Sequence, residues 1–340
     1  MFLRQLEYLV ALSHEHHFSR AAQHCNVSQP TLSNAIKQLE AELGTPIVMR
    51  HQRFQGFTAE GRRVVEWSKR MLADRNGMLQ ELSVLRKNLT GRLRLGAMPT
   101  SSPVLPFINQ RFLAQHPGVK MEVSFLGLEQ MRVQLTNFDL DVGITYIDQM
   151  HPVPLVSFPL YKESLSLLVP DDQRFPKMES MNWAEASELP LGLLPPGMHE
   201  RQIIDSAFAA AGKTASPRVE SDSLVNLAFH TMLNGVATIV PSHFDRVIGA
   251  FPGTRVIRLV EPEVVRQVGL IWVAGDPMLP MAKAMLDLLK AMLAEGELFR
   301  TSPAPQILKA AASAESPVRA AVGALRSSVR ATSGASGTRK

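Results

Sequence analysis

The chain has 340 residues, 45% of them hydrophobic and 20% charged, which is typical of a globular protein with roughly two or three compact units. One cysteine excludes a disulfide framework, and without a leader-like start or an apolar run of about 18 residues we expect a cytoplasmic protein with no membrane partner. Residues 1–90 carry a net charge of +4 and residues 91–300 a net charge of −4, so the basic excess that phosphate contact requires lies in the N-terminal part.

Residues 1–58 are predicted to form a winged helix-turn-helix. A first helix is predicted over residues 1–17. The segment from Phe18 to Gly44 that follows predicts two short helices joined by a tight turn. Ser19 and Ser28 are the expected N-caps of these two helices, and Pro30 suits the first turn of the second. The short apolar runs that follow predict the two strands of a wing.

The outward face of the second helix is short and polar, as a recognition helix requires. An ordinary helical hairpin with a polar face is the alternative, and a solvated loop is the alternative for the wing arginines. The candidate DNA-contacting residues are Ser28, Gln29, Pro30, Thr31, Ser33, Asn34 and Lys37 on the helix, with Arg50 and Arg53 on the wing.

Residues 59–90 are predicted to form a linker helix that reaches about Leu89. A small N-terminal unit cannot bury so long a helix. Its partial seven-residue seam of apolar side chains predicts pairing with the same helix of a second subunit. The seam consists of Met71, Met78, Leu82, Leu85 and Leu89.

Residues 91–300 alternate short apolar strands with amphipathic helices, which predicts a largely parallel α/β architecture. Because a strand and a helix of the first type return at the end, we expect two lobes joined by two hinge crossings. Lobe I covers about 91–161 and 267–300, and lobe II about 162–266. Residues 301–340 are rich in Ala, Ser, Gly, Pro and Arg and are expected to be a disordered basic tail.

A ligand of such a fold is expected where strand ends meet helix starts. Hydroxyls and free N–H groups at these positions favour a small-molecule inducer that is a carboxylate or another anion. Plain N-capping by Ser102, with Pro103 at the first helical position, is the alternative. Asp222 argues against a purely anionic ligand, since it either caps a helix or faces a hydroxyl or amino group. The candidate effector-binding residues are Thr100, Ser101, Ser102, Gly127, Thr145, Ser221 and Ser223.

Signatures of catalysis and of metal binding are not found in the sequence. GxSxG, P-loop, GxGxxG and HExxH patterns are absent, so we expect neither an enzyme nor a cofactor. His14, His17 and His24 do not converge as zinc ligands, and Cys25 is expected to be a packed side chain.

The words FSRAA, SQPTLSNAIKQLEAELG and FTAEGR, with Pro46 and Arg50 between them, resemble the LysR-type transcriptional regulators, and QLTNFDLDVGIT resembles a strand entry of their effector domain. The resemblance covers roughly residues 2–296. It implies a type-II periplasmic-binding-like effector domain, dimerisation through the linker helix, a dimer-of-dimers tetramer, promoter DNA as a partner and RNA polymerase as a further one.

By the same resemblance, five residues of the second helix read bases: Gln29, Pro30, Thr31, Ser33 and Asn34. Lys37, Arg50 and Arg53 then face the DNA backbone. Asn34 departs from the arginine more usual in the family, which favours adenine over guanine at that contact. The alternative function is a small-molecule-binding protein or an enzyme on the same two-lobed fold with no regulatory role.

Overall fold

Three helices and a two-stranded wing form the N-terminal head. The computed structural model describes residues 1–50, 54–86, 89–148, 154–172, 175, 178–244, 253–296 and 298. The head contains α1 (Leu3–Glu15), α2 (Phe18–His24), α3 (Gln29–Leu43) and the antiparallel strands β1 (Val48–Arg50) and β2 (Phe54–Phe57). Small side chains on α2 let the helices approach closely around one core. That core includes Leu6, Leu9, Leu12, Ala21, Ala22, Leu32, Ile36 and Leu39.

The caps of the two motif helices differ in how well the sequence predicts them. The Ser28 side chain accepts a hydrogen bond from the backbone N–H of Thr31, so the predicted N-cap of α3 is confirmed. The prediction for α2 is wrong, because this helix starts at Phe18, two residues earlier than an N-cap at Ser19 implies. His17 is its N-cap, and the ring Nδ1 of His17 accepts from the backbone N–H of Ser19 at 3.2 Å.

The linker helix α4 (Ala59–Leu85) has 27 residues, and Thr58 caps its N-terminus by accepting from the N–H of Gly61 at 2.8 Å. It ends four residues before the predicted end at Leu89, which is a buried residue just before the next strand. Much of its apolar surface is exposed in the monomer. The exposed large side chains are Trp67, Met71, Met78, Leu79, Leu82, Val84 and Leu85.

Asp139 connects three parts of the chain, since it lies in lobe I and receives hydrogen bonds from the head and from α4. His14 Nε2 lies 3.1 Å from one carboxylate oxygen of Asp139 and Lys69 Nζ lies 2.9 Å from the other. Burial alone would raise the pKa of Asp139, but these hydrogen bonds outweigh it and hold the pKa below its usual value. The ionised carboxylate therefore holds α1 and α4 against lobe I.

The remaining described elements alternate strands and helices over much of their length, as the sequence predicts. They are β3 (Thr90–Ala97), a 3-10 helix (Pro99–Ser101), α5 (Leu105–Gln115), β4 (Gly118–Phe125), α6 (Leu128–Thr136), β5 (Val142–Tyr146), β6 (Leu155–Pro170), β7 (Ser180–Asn182), α7 (Trp183–Ala186), β8 (Leu191–Leu193), α8 (His199–Ala210), β9 (Pro217–Glu220), α9 (Leu224–Asn234), β10 (Ala237–Pro241), β11 (Thr254–Val260), β12 (Val265–Val273) and α10 (Pro280–Ala294). The alternation is incomplete, because β5, β6 and β7 follow one another among these described elements, and so do β10, β11 and β12.

A single 16-residue strand, β6, passes through both lobes. Its residues 155–164 pair antiparallel with β12 in lobe I, and its residues 165–170 pair with β10 and β11 in lobe II. In the sequence, only the apolar run at residues 164–169 is a clear strand signal in this region. Pro159 lowers the strand signal of the first half, and the structure accommodates it beside a register shift opposite Val268 and Gly269.

Helix α5 begins later than predicted, with Val104 at its N-cap and Pro106 in its first turn. Ser102 instead follows the 3-10 helix with dihedrals of the right-handed helical region (φ −50°, ψ −35°). The alternative role of Ser102 as the N-cap of α5 is therefore wrong. The extra 3-10 turn places Thr100 and Ser101 in the interior of the protein.

Replacing Gly61 with alanine should destabilise the head by about 1–3 kcal/mol, as overpacking does. The new Cβ would overlap the backbone carbonyl of Ile47, which cannot move aside as a side chain can. The free energy of urea unfolding measures the effect. Gly77→Ala in the same helix is the matched control, because its Cβ would meet only the flexible end of Leu279 at 2.7 Å. An equal loss in both variants would contradict this explanation.

Candidate nucleic-acid surface and inter-lobe cleft

The candidate DNA-contacting side chains of α3 lie together on one face, as the sequence predicts for the outward side of this helix. Leu32, Ile36 and Leu39 hold the opposite face in the core with no exposed surface. The outward set is exposed except for Ser33, which is half-buried. It consists of Ser28, Gln29, Pro30, Thr31, Ser33, Asn34 and Lys37.

The first turn of this face is held by local hydrogen bonds. The hydroxyls of Ser28 and Thr31 lie 2.8 Å apart, and Ser19 Oγ donates to Gln29 Oε1 at 2.8 Å. Gln29 is thereby oriented with its amide nitrogen free to donate. Arg50 ends β1, its side chain lies outside the described atoms, and Arg53 lies outside the described residues.

A cleft of about 410 Å³ separates the two lobes. Lobe I contributes the start of α6, and lobe II contributes the start of α8. Both helices begin here without a side-chain cap at their N-terminus. None of the described lining residues is a lysine or an arginine. The lining consists of Pro99, Phe125, Gly127, Leu128, Glu129, Gln130, Pro195, Gly197, Met198, His199, Gln202 and Asp222.

Of the seven candidate effector-binding residues, Gly127 lines the cleft directly. Thr100, Ser101 and Thr145 are buried, Ser102 is half-buried and none of the four lines the cleft; Ser101 Oγ donates to the carbonyl of Met98 at 2.6 Å. The hydroxyls of the other two residues in lobe II act as local caps. Ser221 Oγ accepts from the N–H of Ser223, and Ser223 Oγ accepts from the N–H of Asn226, each at 3.2 Å.

Two buried carboxyl groups under the cleft are missed by sequence reasoning. Glu163 on β6 is 1% exposed and Glu200 on α8 is 4% exposed. Tyr146 Oη donates to Glu163 Oε1, while Glu163 Oε2 and Glu200 Oε2 have no hydrogen-bond partner among the described atoms. The one available signal is a glutamate at an inward position of an otherwise apolar strand, which no motif distinguishes.

Burial raises the pKa of Glu163 to about 8 and that of Glu200 to about 7. The charge of Glu200 adds to the rise at Glu163, and the hydrogen bonds from Tyr146 and Thr100 oppose it. Without a nearby cation, Glu163 is therefore mostly protonated at pH 7 and Glu200 is about half protonated. Burial also lowers the pKa of His199, whose ring lies 6.2 Å from that of Tyr146.

The described residues include no group of three or more His, Cys, Asp or Glu side chains arranged to hold a metal ion. Within the same residues, none of the helices combines the length and apolar character needed to cross a bilayer. The chemistry of the cleft is thus that of two carboxyls, a tyrosine and a threonine hydroxyl brought together by four separate elements.

Thermal stability should fall as the pH rises from about 5 to about 8. Because the folded pKa values of Glu163 and Glu200 exceed those of the unfolded chain, the stabilisation is complete below pH 4.5 and is lost as the pH passes 7 and 8. The slope is on the order of 1.4 kcal/mol per pH unit for each group. Glu163→Gln should flatten the curve of Tm against pH. The exposed rim variant Glu129→Gln is the control, and parallel curves for both variants would contradict the assignment.

Comparison with known proteins identifies the family. A model of the LysR substrate binding domain matches residues 86–294, and a model of the bacterial regulatory helix-turn-helix proteins of the lysR family matches residues 3–62. The hydrogen peroxide-inducible genes activator of Haemophilus influenzae is 32% identical over 311 residues, which cover 86% of this chain and 99% of that protein. The dual regulator OxyR of Escherichia coli is 27% identical over 298 residues, covering 86% and 96%.

Solved structures agree with the sequence comparison and confirm the fold class. A cysteine-to-aspartate variant of full-length OxyR from Pseudomonas aeruginosa has a TM-score of 0.68 and 25% identity, and covers 90% of this chain and 100% of that one. CbnR complexed with its target DNA shares the fold, with a TM-score of 0.60, 21% identity and coverage of 86% and 99%. The chain belongs to the LysR family and is a DNA-binding transcriptional regulator.

Proposed function

We propose that the outward face of α3 reads promoter DNA in the major groove. The single observation that carries this is the continuous row of exposed polar side chains backed by a rigid apolar core. In this proposal Gln29, Pro30, Thr31, Ser33 and Asn34 face base edges. Ser28, Lys37, Arg50 and Arg53 lie toward the phosphates, and the +4 charge of residues 1–90 supplies the non-specific attraction.

Asn34→Ala and Gln29→Ala should each weaken binding to the operator by about 1–3 kcal/mol and leave non-specific binding unchanged, because base-edge contacts are lost. Lys37→Ala should weaken both and reduce the salt dependence of binding. Affinity and its salt dependence are measured by gel shifts with the upstream region of the gene at several salt concentrations. A wild-type protein that leaves this DNA unshifted would overturn the proposal, and an unchanged salt slope for Lys37→Ala would remove its phosphate contact.

We also propose that residues 59–90 form a dimer contact between linker helices, and that the assembled regulator is a tetramer. The exposed side chains of Met71, Met78 and Leu85 recur every seven residues and form a seam along α4. A second exposed apolar set, which suits the further contact, lies on β4, α6 and α9. It consists of Val123, Phe125, Val133, Val225, Phe229 and Leu233.

The double variant Met78→Lys, Leu85→Lys should lower the mass measured by sedimentation, since two charges enter an apolar seam. Asn76→Lys adds a charge on the same helix outside that seam, and it should leave the mass unchanged. An equal effect of both variants, or no effect of the double variant, would place the contact elsewhere.

The cleft is the proposed site of a small-molecule effector, with residues 91–161 and 267–300 as one lobe and 162–266 as the other. Thr100, Gly127 and Thr145 lie at or beside this cleft, which supports the assignment. Ligand binding there would change how the two lobes lie against each other, and hence the heads on DNA. RNA polymerase is the proposed further partner at the promoter.

Peroxide is the inducer named for the relatives, yet this chain has one cysteine, Cys25, which lies in the head at the end of α2. Burial and the charge of Glu7 raise the pKa of its thiol, which lowers the fraction of reactive thiolate. We therefore propose that the effector of this regulator is recognised by contacts in the cleft, and that no thiol in residues 91–300 senses it.

A further inference from the structure

Glu163 and Glu200 are buried near residues that line the cleft, although neither of them lines it. Pro99 and His199 line the cleft, and the next residue after each of them, Thr100 and Glu200, belongs to the buried cluster. Glu163 acts on the same group of residues, since its charge and its hydrogen bonding involve Tyr146, Thr100 and Glu200. The lining of the cleft is therefore one residue away from Glu200 and from Thr100, and Thr100 acts on Glu163.

The hydrogen-bonding capacity of this cluster is incomplete. One carboxyl oxygen of Glu163 and one of Glu200 have no hydrogen-bond partner in the described part of the chain. Thr100 is 4% exposed, and its hydroxyl lies close enough to Glu163 and Tyr146 to oppose the rise in the pKa of both groups. A buried polar atom without a partner costs about 1–3 kcal/mol, so the two carboxyl oxygens together indicate a position that a ligand completes.

A protein counter-ion for Glu163 is not present in the described residues. Arg266 lies opposite Glu163 in the pairing of β6 with β12, but its guanidinium is 4.0 Å from the carboxylate of Asp148. Arg266 and Asp148 influence His199, and neither contributes to the electrostatics of Glu163. When both carboxyls are ionised they repel each other, and no cation among the described residues compensates the charge of Glu163.

We propose that the effector carries a protonated nitrogen, an ammonium or guanidinium group, which binds between Glu163 and Glu200 with Thr100 and Tyr146 beside it. This deepens the effector role proposed above and rests on it. The N–H groups donate to the carboxyl oxygens that lack partners, and the cation stabilises the ionised form of both acids. Because Thr100 and Tyr146 belong to lobe I and Glu200 to lobe II, the bound nitrogen holds the lobes together.

Two other ligand classes fit less well. A carboxylate suits the open helix N-termini, but it would meet four acids, namely Glu129, Asp222, Glu163 and Glu200. A metal ion would need more ligands than two carboxyls, and no group of three metal-binding side chains is found among the described residues. An organic cation needs hydrogen-bond acceptors in this arrangement and no defined coordination number.

The test compares two probes of the same length and opposite charge on the full chain. Calorimetric titration should show binding of 1,4-diaminobutane and no comparable binding of 1,4-butanedioate at concentrations up to about 10 mM. Binding of the diamine should raise the Tm. Absence of diamine binding, tighter binding of the dioate, or stabilisation by Ca²⁺ alone through Glu163 would each overturn the proposal.

The variants Glu163→Gln and Glu200→Gln keep size and hydrogen bonding and remove the charge, so diamine affinity should fall by at least about tenfold in each. Glu179→Gln, at an exposed position outside the cleft lining, should change the affinity by less than about twofold, because exposed charges interact weakly. Undiminished binding in Glu163→Gln would refute the site. Operator gel shifts without probe report folding and the regulatory function separately: a wild type that shifts DNA but ignores the diamine defeats the ligand class alone.

Discussion

The two-lobed domain depends on one continuous strand. β6 supplies hydrogen bonds to β12 in lobe I and to β10 and β11 in lobe II, so the backbone of neither lobe is complete without it. A strand of 16 residues spans roughly 50 Å. Unfolding the middle of β6 would cost much free energy, because the backbone hydrogen bonds to β12, β10 and β11 would be lost. Relative motion of the lobes is therefore confined to bending at the point where β6 changes partners, next to Ser164.

The same strand explains why acidic groups meet under the cleft. Glu163 lies at the last positions that pair with β12, at the boundary between the lobes, and its side chain points inward. Residues from β5, α8 and the turn after β3 converge on it. A charge at this place experiences little solvent, so its ionisation depends on what occupies the cleft. One short segment thus pairs with β12 and carries the buried carboxyl of Glu163.

Local signals suffice for much of the fold. Ser28, Pro30 and the spacing of Leu32 and Ile36 predict α3, because caps and helical periodicity act within a few residues. Local sequence signals fail where a side chain or strand elsewhere in the fold supplies the stabilising contact. His17 caps α2 with a ring nitrogen, and the first half of β6 accommodates a proline at a bulge that only the partner strand reveals.

The candidate site shows the same limit. Thr100 and Gly127 are found from the rule that ligands bind where strands end and helices begin, and the cleft is where that rule places it. Sequence reasoning does not find Glu163 and Glu200, because they are far apart in the chain and only the folded structure shows that both are buried in one cluster.

The hydrogen bonds that Asp139 accepts from His14 and Lys69 also restrict the movement of lobe I. Any rotation of lobe I away from α4 must break the bonds to Lys69 and His14, so the head and the linker are dragged with the lobe. Asp139 therefore ties lobe I to the head and to the linker helix at one point, in addition to the covalent chain between them.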